Sequence, residues 1–464
     1  MKIKCYLNVL CMLCGIVWGR AQQQPNIIFI MADDLGYSDL GCYGNDFNET
    51  PSIDSLAGTG TRFTSAYTAA PVCSPSRAAL MSGQYPARLG INDYLRPDTE
   101  KHLDTALITL PEMLKKAGYR TGIVGKWHLS GYRLEGAPEE TLPGIHGFDE
   151  VMVSENRGIG AGSYFYPYHF NRDISRKLSG EKEFLVDRQH EEALEFMRRN
   201  RDRPFFLMLS HYAVHTYVHG KPELVAYFQE KEGASKSAPH KDNPENNPYK
   251  KWPEDFRGGN NNPHLAAQLL SIDRGVGKIM YTLKELGLDR NTIVIFTSDN
   301  GGETNVTDNT PLRGGKSMLY EGGVKVPLII ADLRDSNALT GIAQPVANYD
   351  FYPTMADWAG GTIPGHMDGK SMVSLLKAKK RKQKRSFYWH YPLKKRHFLG
   401  GRSSGSIRHG DWKLIEFFDT GKYELYNLKD DPGEQNNLVH QSPEKAHRLQ
   451  KRLAQWRKEV LKHE

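Results

Sequence analysis

Asp33 and Asp34 stand together at the end of a short apolar run, and Asp299 and Asn300 stand together at the end of another. Three carboxylates and an amide oxygen are hard oxygen donors, suited to Ca2+ or Mg2+ rather than to zinc. Adjacent acids also cap helices and form turns, and either pair alone is open to that reading. The third feature is Cys73, in the run Pro71-Val72-Cys73-Ser74-Pro75-Ser76-Arg77. A small buried thiol beside a proline-containing turn is the plain alternative to a chemical role for it.

The order of elements places both acid pairs where α/β enzymes keep their chemistry, beyond the carboxyl ends of strands. Residues 26–32 are nearly all apolar, which suits a strand buried on both faces of a mostly parallel sheet. Residues 109–118 read as a helix, with Pro111 in its first turn and Gly118 past its end. Residues 119–124 read as a strand, 187–200 as a helix, 205–209 as a strand and 265–286 as a long amphipathic helix. Residues 292–297 and 327–331 follow as strands. The alternation predicts an α/β fold, a large mostly parallel sheet sandwiched by helices. Residues 228–262 are polar and read as a long surface insertion.

The pattern changes near Leu376. Residues 377–385 are a basic run, read as a solvated connector that could also meet a polyanionic glycan. Strand-like pieces at 387–390, 406–408, 412–417 and 423–426 predict a small antiparallel sheet. A closing helix spans 442–463, with Ser442 as N-cap and Pro443 at its first position. The predicted organisation is a signal peptide over 1–21, a catalytic α/β domain over 22–376 and a C-terminal subdomain over 377–464.

Lys2 and Lys4, an apolar stretch from Cys5 to Trp18, and Gly19-Arg20-Ala21 read as a secretory signal, so export to a periplasmic or extracellular space is expected. The stretch is short for a membrane span, and no other run approaches that length, so no stable membrane insertion is expected after cleavage. Cys5, Cys11 and Cys14 leave with the signal, and the two cysteines that remain, Cys42 and Cys73, exclude a disulfide scaffold. The formal net charge of +7 is a mild excess. It is no nucleic-acid signature; it suits an anionic substrate and is equally ordinary surface lysine.

Longer motifs carry a resemblance. The segment from Pro25 through Asp33-Asp34-Leu35-Gly36, the run Thr50-Pro51-Ser52-Ile53-Asp54 and the run around Cys73-Ser74-Pro75-Ser76-Arg77 are similar to the opening of the type I, formylglycine-dependent sulfatases of the alkaline phosphatase superfamily. Gly118-Tyr119-Arg120-Thr121-Gly122-Ile123-Val124-Gly125-Lys126-Trp127-His128 resembles that family's second signature. Ser298-Asp299-Asn300-Gly301-Gly302, Arg313-Gly314-Gly315-Lys316 and the C-terminal Tyr423-Glu424-Leu425-Tyr426-Asn427-Leu428 resemble later ones, in the family's order.

The resemblance implies an alkaline phosphatase-like fold and a sulfatase acting on sulfate monoesters, with sulfated carbohydrate as the expected substrate. Cys73 would be converted to Cα-formylglycine by a maturase that reads its motif. One Ca2+ would be held by Asp33, Asp34, Asp299, Asn300 and residue 73. Arg77, Lys126 and His128 would surround the aldehyde hydrate, Lys316 would contact sulfate and the leaving oxygen, and His215 would protonate the leaving alcohol. Lys126, His215, Lys316 and His211 are the expected substrate contacts, and Tyr94, Arg96, His102 and His219 are further candidates for a sugar subsite. Val214 and Tyr217 stand where proline usually flanks the acid histidine; Ser82 replaces a commoner Thr and Gln84 a commoner Arg. Two alternatives share the fold: a phosphomonoester or phosphonate-ester hydrolase, and a non-catalytic binder of sulfated glycan.

Overall fold

Residues 26–32 form β1 (Asn26–Ala32), in which every residue is buried. Its side chains alternate between two hydrophobic clusters, as the two-residue period of a strand requires. Ile28, Ile30 and Ala32 face one cluster, and Ile27, Phe29 and Met31 face the other. A strand with no solvated face must lie inside a sheet covered on both sides. The computed structural model describes residues 24–96, 99–131, 142–156, 164–179, 182–236, 252–253, 255–335, 341–377 and 385–461. The signal segment and nearly all of the basic run at 377–385 lie outside these residues.

The remaining strands of the large sheet are β2 (Thr61–Tyr67), β3 (Arg120–Gly125), β4 (Glu150–Met152), β5 (Phe205–Ser210), β6 (Thr292–Ser298), β7 (Lys325–Asp332) and β8 (Val346–Ala347). Their order is β4-β3-β5-β1-β6-β7-β2-β8. All adjacent pairs are parallel except those made by β7, which runs against β6 and β2. The sheet is therefore mixed and mostly parallel, as expected.

The helices are α1 (Pro51–Thr59), α2 (Cys73–Ser82), α3 (Leu110–Lys116), α4 (Leu185–Arg199), α5 (Pro222–Glu230), α6 (Pro263–Glu285), α7 (Glu321–Val324), α8 (Phe351–Ala359), α9 (Val373–Leu376) and α10 (Pro443–Val460). Helices α1, α4 and α6 cover one face of the sheet, and α2, α3 and α8 cover the other. Helices α3 and α6 start at identifiable signals. Thr109 and Glu112 close a reciprocal capping box on α3, and the Asn262 side chain accepts from His264 N at 3.0 Å to cap α6.

The C-terminal strands β9 (Ser386–Tyr391), β10 (Ser404–His409), β11 (Trp412–Phe417) and β12 (Lys422–Asn427) form an antiparallel sheet in the order β12-β11-β10-β9. Helix α10 packs on it through Leu449, Leu453 and Trp456. This core is continuous with the larger unit, because Tyr67, Val72, Ala79 and Tyr85 belong to the same cluster as Trp389, Ile407 and Leu414. Lys413 is fully buried at the junction, 2.9 Å from Glu321 and 3.0 Å from Glu434.

Three local expectations are corrected. The stretch at 228–262 is not wholly a surface insertion: Phe228 completes the buried face of α5, and Phe256 stacks on Trp252 with ring centroids 4.0 Å apart. Ser442 occupies the N-cap position of α10 but its side chain makes no capping bond; Pro443 sits in the first turn as expected. Cys73 is not beside a turn but is the first residue of α2, all ten residues of which are buried. Among the described residues, no helix is long and apolar enough to cross a membrane.

Candidate active site

Four neighbouring strands, β3, β5, β1 and β6, deliver their carboxyl ends to one place. β1 and β6 are parallel and in register at Ala32 and Ser298, so the residues that follow, Asp33 and Asp299, emerge side by side. Asp34 then turns back with φ of 62°, and its N–H donates to Asp299 Oδ1 at 3.2 Å. β3 pairs with β5 so that Gly125 lies opposite Ser210, and Lys126 follows with its N–H on Ser210 O at 2.9 Å. Cys73 arrives from the N-terminus of α2 and lies 3.5 Å from Asp33 Oδ1.

One ligand atom each from Asp33, Asp34, Cys73 and Asp299 fits within a 4.8 Å span, and all four residues are buried. Three cations face these carboxylates. Lys126 Nζ donates to Asp33 Oδ2 at 2.5 Å, and Lys316 Nζ donates to Asp34 Oδ2 at 2.6 Å. Arg77 donates from Nε to Asp299 Oδ2 at 2.9 Å and from Nη1 to Lys126 O and Ser210 Oγ at 2.9 and 2.7 Å. Arg77 is thus a clamp on the strand ends and on Asp299.

Burial works against each of these charges, and the partners decide the outcome. Burial pushes Asp33 well above the usual carboxylate range, with Asp299 adding to the rise. Burial also pushes on Asp299, but Arg77 and Lys126 outweigh it and hold that carboxyl below its usual range. Burial disfavours the charge on Lys126 and Lys316, yet Asp33 and Asp34 respectively keep both ammonium. Burial raises the Cys73 thiol despite Lys126 and Lys316, so the side chain stays a neutral thiol rather than a thiolate.

The donors suit a hard cation. Asn300 Nδ2 donates to Asp34 Oδ1 at 2.7 Å, while the buried Asn300 Oδ1 has no hydrogen-bond partner among the described residues. An orphaned amide oxygen beside three carboxylates is what an oxygen-coordinated divalent ion would satisfy.

His128 and His215 also reach the site. His128 Nε2 donates to Leu95 O at 3.0 Å, and burial followed by Lys126 holds its pKa well below the ordinary value. His215 Nδ1 donates to Thr216 O at 2.6 Å, and its Nε2 lies 3.6 Å from Asp34 Oδ2. Its segment is pinned to Asp33, which donates to Ala213 O at 2.9 Å and accepts from Val214 N at 2.8 Å. Burial, then Lys316, keeps His215 neutral at rest.

His211, among the expected substrate contacts, lies toward α4. It is fully buried, its Nδ1 donates to Gln189 Oε1 at 3.2 Å, and its ring lies 4.9 Å from that of His190. It packs against α4, and its Nε2 has no hydrogen-bond partner among the described residues. His102 makes a bridge with Ser130, and the His219 carbonyl accepts from Gln268 on α6. Tyr94 and Arg96 stand on either side of Leu95, whose O accepts from His128 Nε2. Gln84, in place of a commoner Arg, leaves the following turn to Arg88, which pairs with Asp368 at 3.0 Å.

The Lys316 loop depends on close backbone approach. A β-carbon on Gly301 would lie 1.9 Å from Gly322 O, which explains glycine at that position. Two acids were not found from sequence. Glu303 is buried near Lys316 and pushed by burial up to about 7. Glu155 accepts from Trp127 N at 3.0 Å and His128 N at 2.7 Å, and Tyr212 OH donates to it at 2.5 Å. No local motif marks Glu155, because its partners lie in other segments. It holds the turn in which His128 takes φ of 54°. Glu155→Ala should leave two buried N–H groups without an acceptor, costing about 2–4 kcal/mol in thermal or urea unfolding and lowering kcat about tenfold. Glu155→Gln keeps a carbonyl where both N–H groups point and should retain most activity, which a role in charge alone would not allow.

The sulfatase family model matches residues 25–361, nearly three quarters of the chain. The chain belongs to the sulfatase family. A second model, described as N-sulphoglucosamine sulphohydrolase, C-terminal, matches residues 315–460 of this sulfatase. Human arylsulfatase A is 32% identical over 459 residues, covering 89% of this chain and 83% of its own. A sulfatase of Formosa agariphila is 30% identical over 516 residues, covering 94% and 89%. The crystal structure of Ps i-CgsB superposes with a TM-score of 0.78 at 29% identity, over 94% of this chain and 93% of that one. The protein is accordingly a sulfuric ester hydrolase on the alkaline phosphatase fold.

Proposed function

We propose that this sulfatase is an exported, calcium-dependent enzyme that removes sulfate from carbohydrate. The observation that carries the reading is the convergence of Asp33, Asp34, Asp299 and Cys73 within 4.8 Å, flanked by Lys126 and Lys316. The carbohydrate part draws on a structural relative, since Ps i-CgsB is also known in complex with k-i-k-neocarrahexaose, at 29% identity to this chain. Export rests on the N-terminal sequence.

Asp33, Asp34, Asp299, Asn300 and residue 73 would hold the calcium, which when bound supplies positive charge against the sulfate oxygens. Conversion of Cys73 to formylglycine would supply, as the hydrate, two hydroxyls on one carbon, one to attack sulfur and one to expel sulfate afterwards. The chain's own residues do the rest. Lys126 and Lys316 neutralise a substrate whose charge otherwise repels an anionic nucleophile. Arg77 keeps Asp299 ionised and fixed, and so acts through the carboxylates rather than on the substrate. Lys316, held over the site by Asp34, is placed for the bridging oxygen. His215 is oriented by its bond to Thr216 O, which leaves Nε2 toward the site. An arriving sulfate anion favours the imidazolium, so that His215 can hand a proton to the leaving alcohol.

Sulfate release from mono-sulfated sugars, compared with release from 4-nitrophenyl sulfate and 4-nitrophenyl phosphate, tests this function. Turnover of phosphate in preference to sulfate would overturn it. His215→Ala should cut kcat on a sugar sulfate by about 10²–10³-fold but on 4-nitrophenyl sulfate by less than about tenfold, because only the sugar alkoxide needs the proton. Equal losses on both would remove His215 from the acid role.

A further inference from the structure

Beside the site stands an aromatic wall that the chemistry above leaves unused. Leu95 N donates to Ser74 Oγ at 2.9 Å while Leu95 O accepts from His128, so the segment around Leu95 is tied to the site on both sides. Its neighbour Tyr94 meets His397 edge-to-face with ring centroids 5.8 Å apart, and the Arg96 guanidinium lies 5.2 Å over the Tyr94 ring. His397 belongs to the segment between β9 and β10, and therefore to the C-terminal sheet. That segment is pinned to the Lys316 loop. His397 N donates to Gly401 O at 2.8 Å, and Gly401 N donates to Ser317 Oγ at 3.2 Å.

His397 stacks on Phe398 with centroids 4.4 Å apart and planes at 27°. Phe398 is 69% exposed, whereas His397 is 9% exposed. A single exposed Phe is ordinary on a protein surface. This one is held by a buried ring, in a loop fastened next to the residue that would meet the leaving oxygen, with a cation nearby. Burial, then Lys316 and Arg96, pushes His397 down to about 4, so the ring is neutral. Leu399 N donates to its Nδ1 at 3.1 Å, which puts the imidazole proton on Nε2.

We propose that Phe398, backed by His397 and flanked by Tyr94 and Arg96, is a platform on which a pyranose ring of an anionic oligosaccharide stacks beside the sulfated unit. The C–H face of a sugar matches an aromatic face, and a guanidinium matches a sulfate or carboxylate substituent. The C-terminal sheet thereby selects substrate for a site built by the larger sheet. This rests on the carbohydrate reading above.

The test is binding of a carrageenan-type hexasaccharide and a chondroitin-sulfate tetrasaccharide to full-length Cys73→Ser protein by calorimetry, with and without Phe398→Ala. One of the two probes is expected to bind about tenfold more weakly to the Phe398→Ala protein, with Phe398→Trp restoring affinity. Unchanged affinity for both probes, or binding of neither to the Phe398 parent, overturns the platform. Turnover of 4-nitrophenyl sulfate by the converted enzyme reads the sulfatase chemistry separately, and Phe398→Ala should leave its kcat/KM within about twofold. An equal loss on the aryl ester would also overturn the platform, since a small substrate does not reach it.

Discussion

Cys73→Ser protein is expected to fold like the wild type and to lose at least about 10³-fold in kcat on every sulfate ester. The fold should survive because the substitution is nearly isosteric and the thiol's hydrogen bond is a weak one to Asp33 Oδ1 at 3.5 Å, which a hydroxyl can also make. The activity should not survive because burial keeps even the native side chain a neutral thiol, and a serine has one hydroxyl where the proposed hydrate has two. Sulfated serine would be an ester with no internal exit. The companion measurement is peptide mass spectrometry of active enzyme, where conversion of Cys73 appears as a loss of about 18 Da. Full activity with an unconverted Cys73, or a Cys73→Ser variant within tenfold of wild type, would sink the proposal.

The second large effect is on stability. Lys413→Met should cost about 3–5 kcal/mol at pH 8, read from urea or thermal unfolding. Lys413 is fully buried between Glu321 and Glu434, and Glu434 Oε2 also accepts from Glu321 N at 2.6 Å. Burial pushes on both carboxyls. Lys413, helped by Arg408, overcomes it at Glu321 and holds that group at about 2, whereas Glu434 rises to about 7. Removing the ammonium removes the force holding Glu321 down. In the variant both acids then take up protons more readily in the folded than in the unfolded chain. An acid with a raised folded pKa costs stability as pH rises from its unfolded pKa to its folded one. The penalty of Lys413→Met should therefore be smaller at pH 5.5 than at pH 8. Glu434→Gln added to Lys413→Met should recover part of the loss. A penalty independent of pH would mean that Lys413 acts by packing alone.

The parts of the molecule that could be read from sequence are those in which one segment states its own environment. Apolar runs without alternation located β1, β5 and β6, and the acids after β1 and β6 followed at once. An apolar run carries no direction, however, so β7 looked like its parallel neighbours. Helix α2 was hidden because Cys-Ser-Pro-Ser-Arg shows no amphipathic period; every residue of it is buried, and its polar groups are met by other segments. His211 and His215 were hard to separate because they are the same residue type four positions apart. The first still extends β5, with its N–H on Met31 O at 2.8 Å, and faces α4. The second lies past the bend and meets Asp34. Glu155 and Lys413 act across large sequence separations and carry no local signal.

The burial of residue 73 has a consequence for when the protein becomes an enzyme. Its side chain is 1% exposed, at the foot of a helix and behind Asp33. In the proposed reading another protein must oxidise it, and no protein active site can enclose a side chain so placed. Conversion must then precede closure of the sheet. Asp299, just after β6, belongs to a segment made long after Cys73, so the window stays open while the later chain is synthesised. The yield of active enzyme is in that case set by a race between oxidation and folding. A variant that folds faster would emerge better formed and less active.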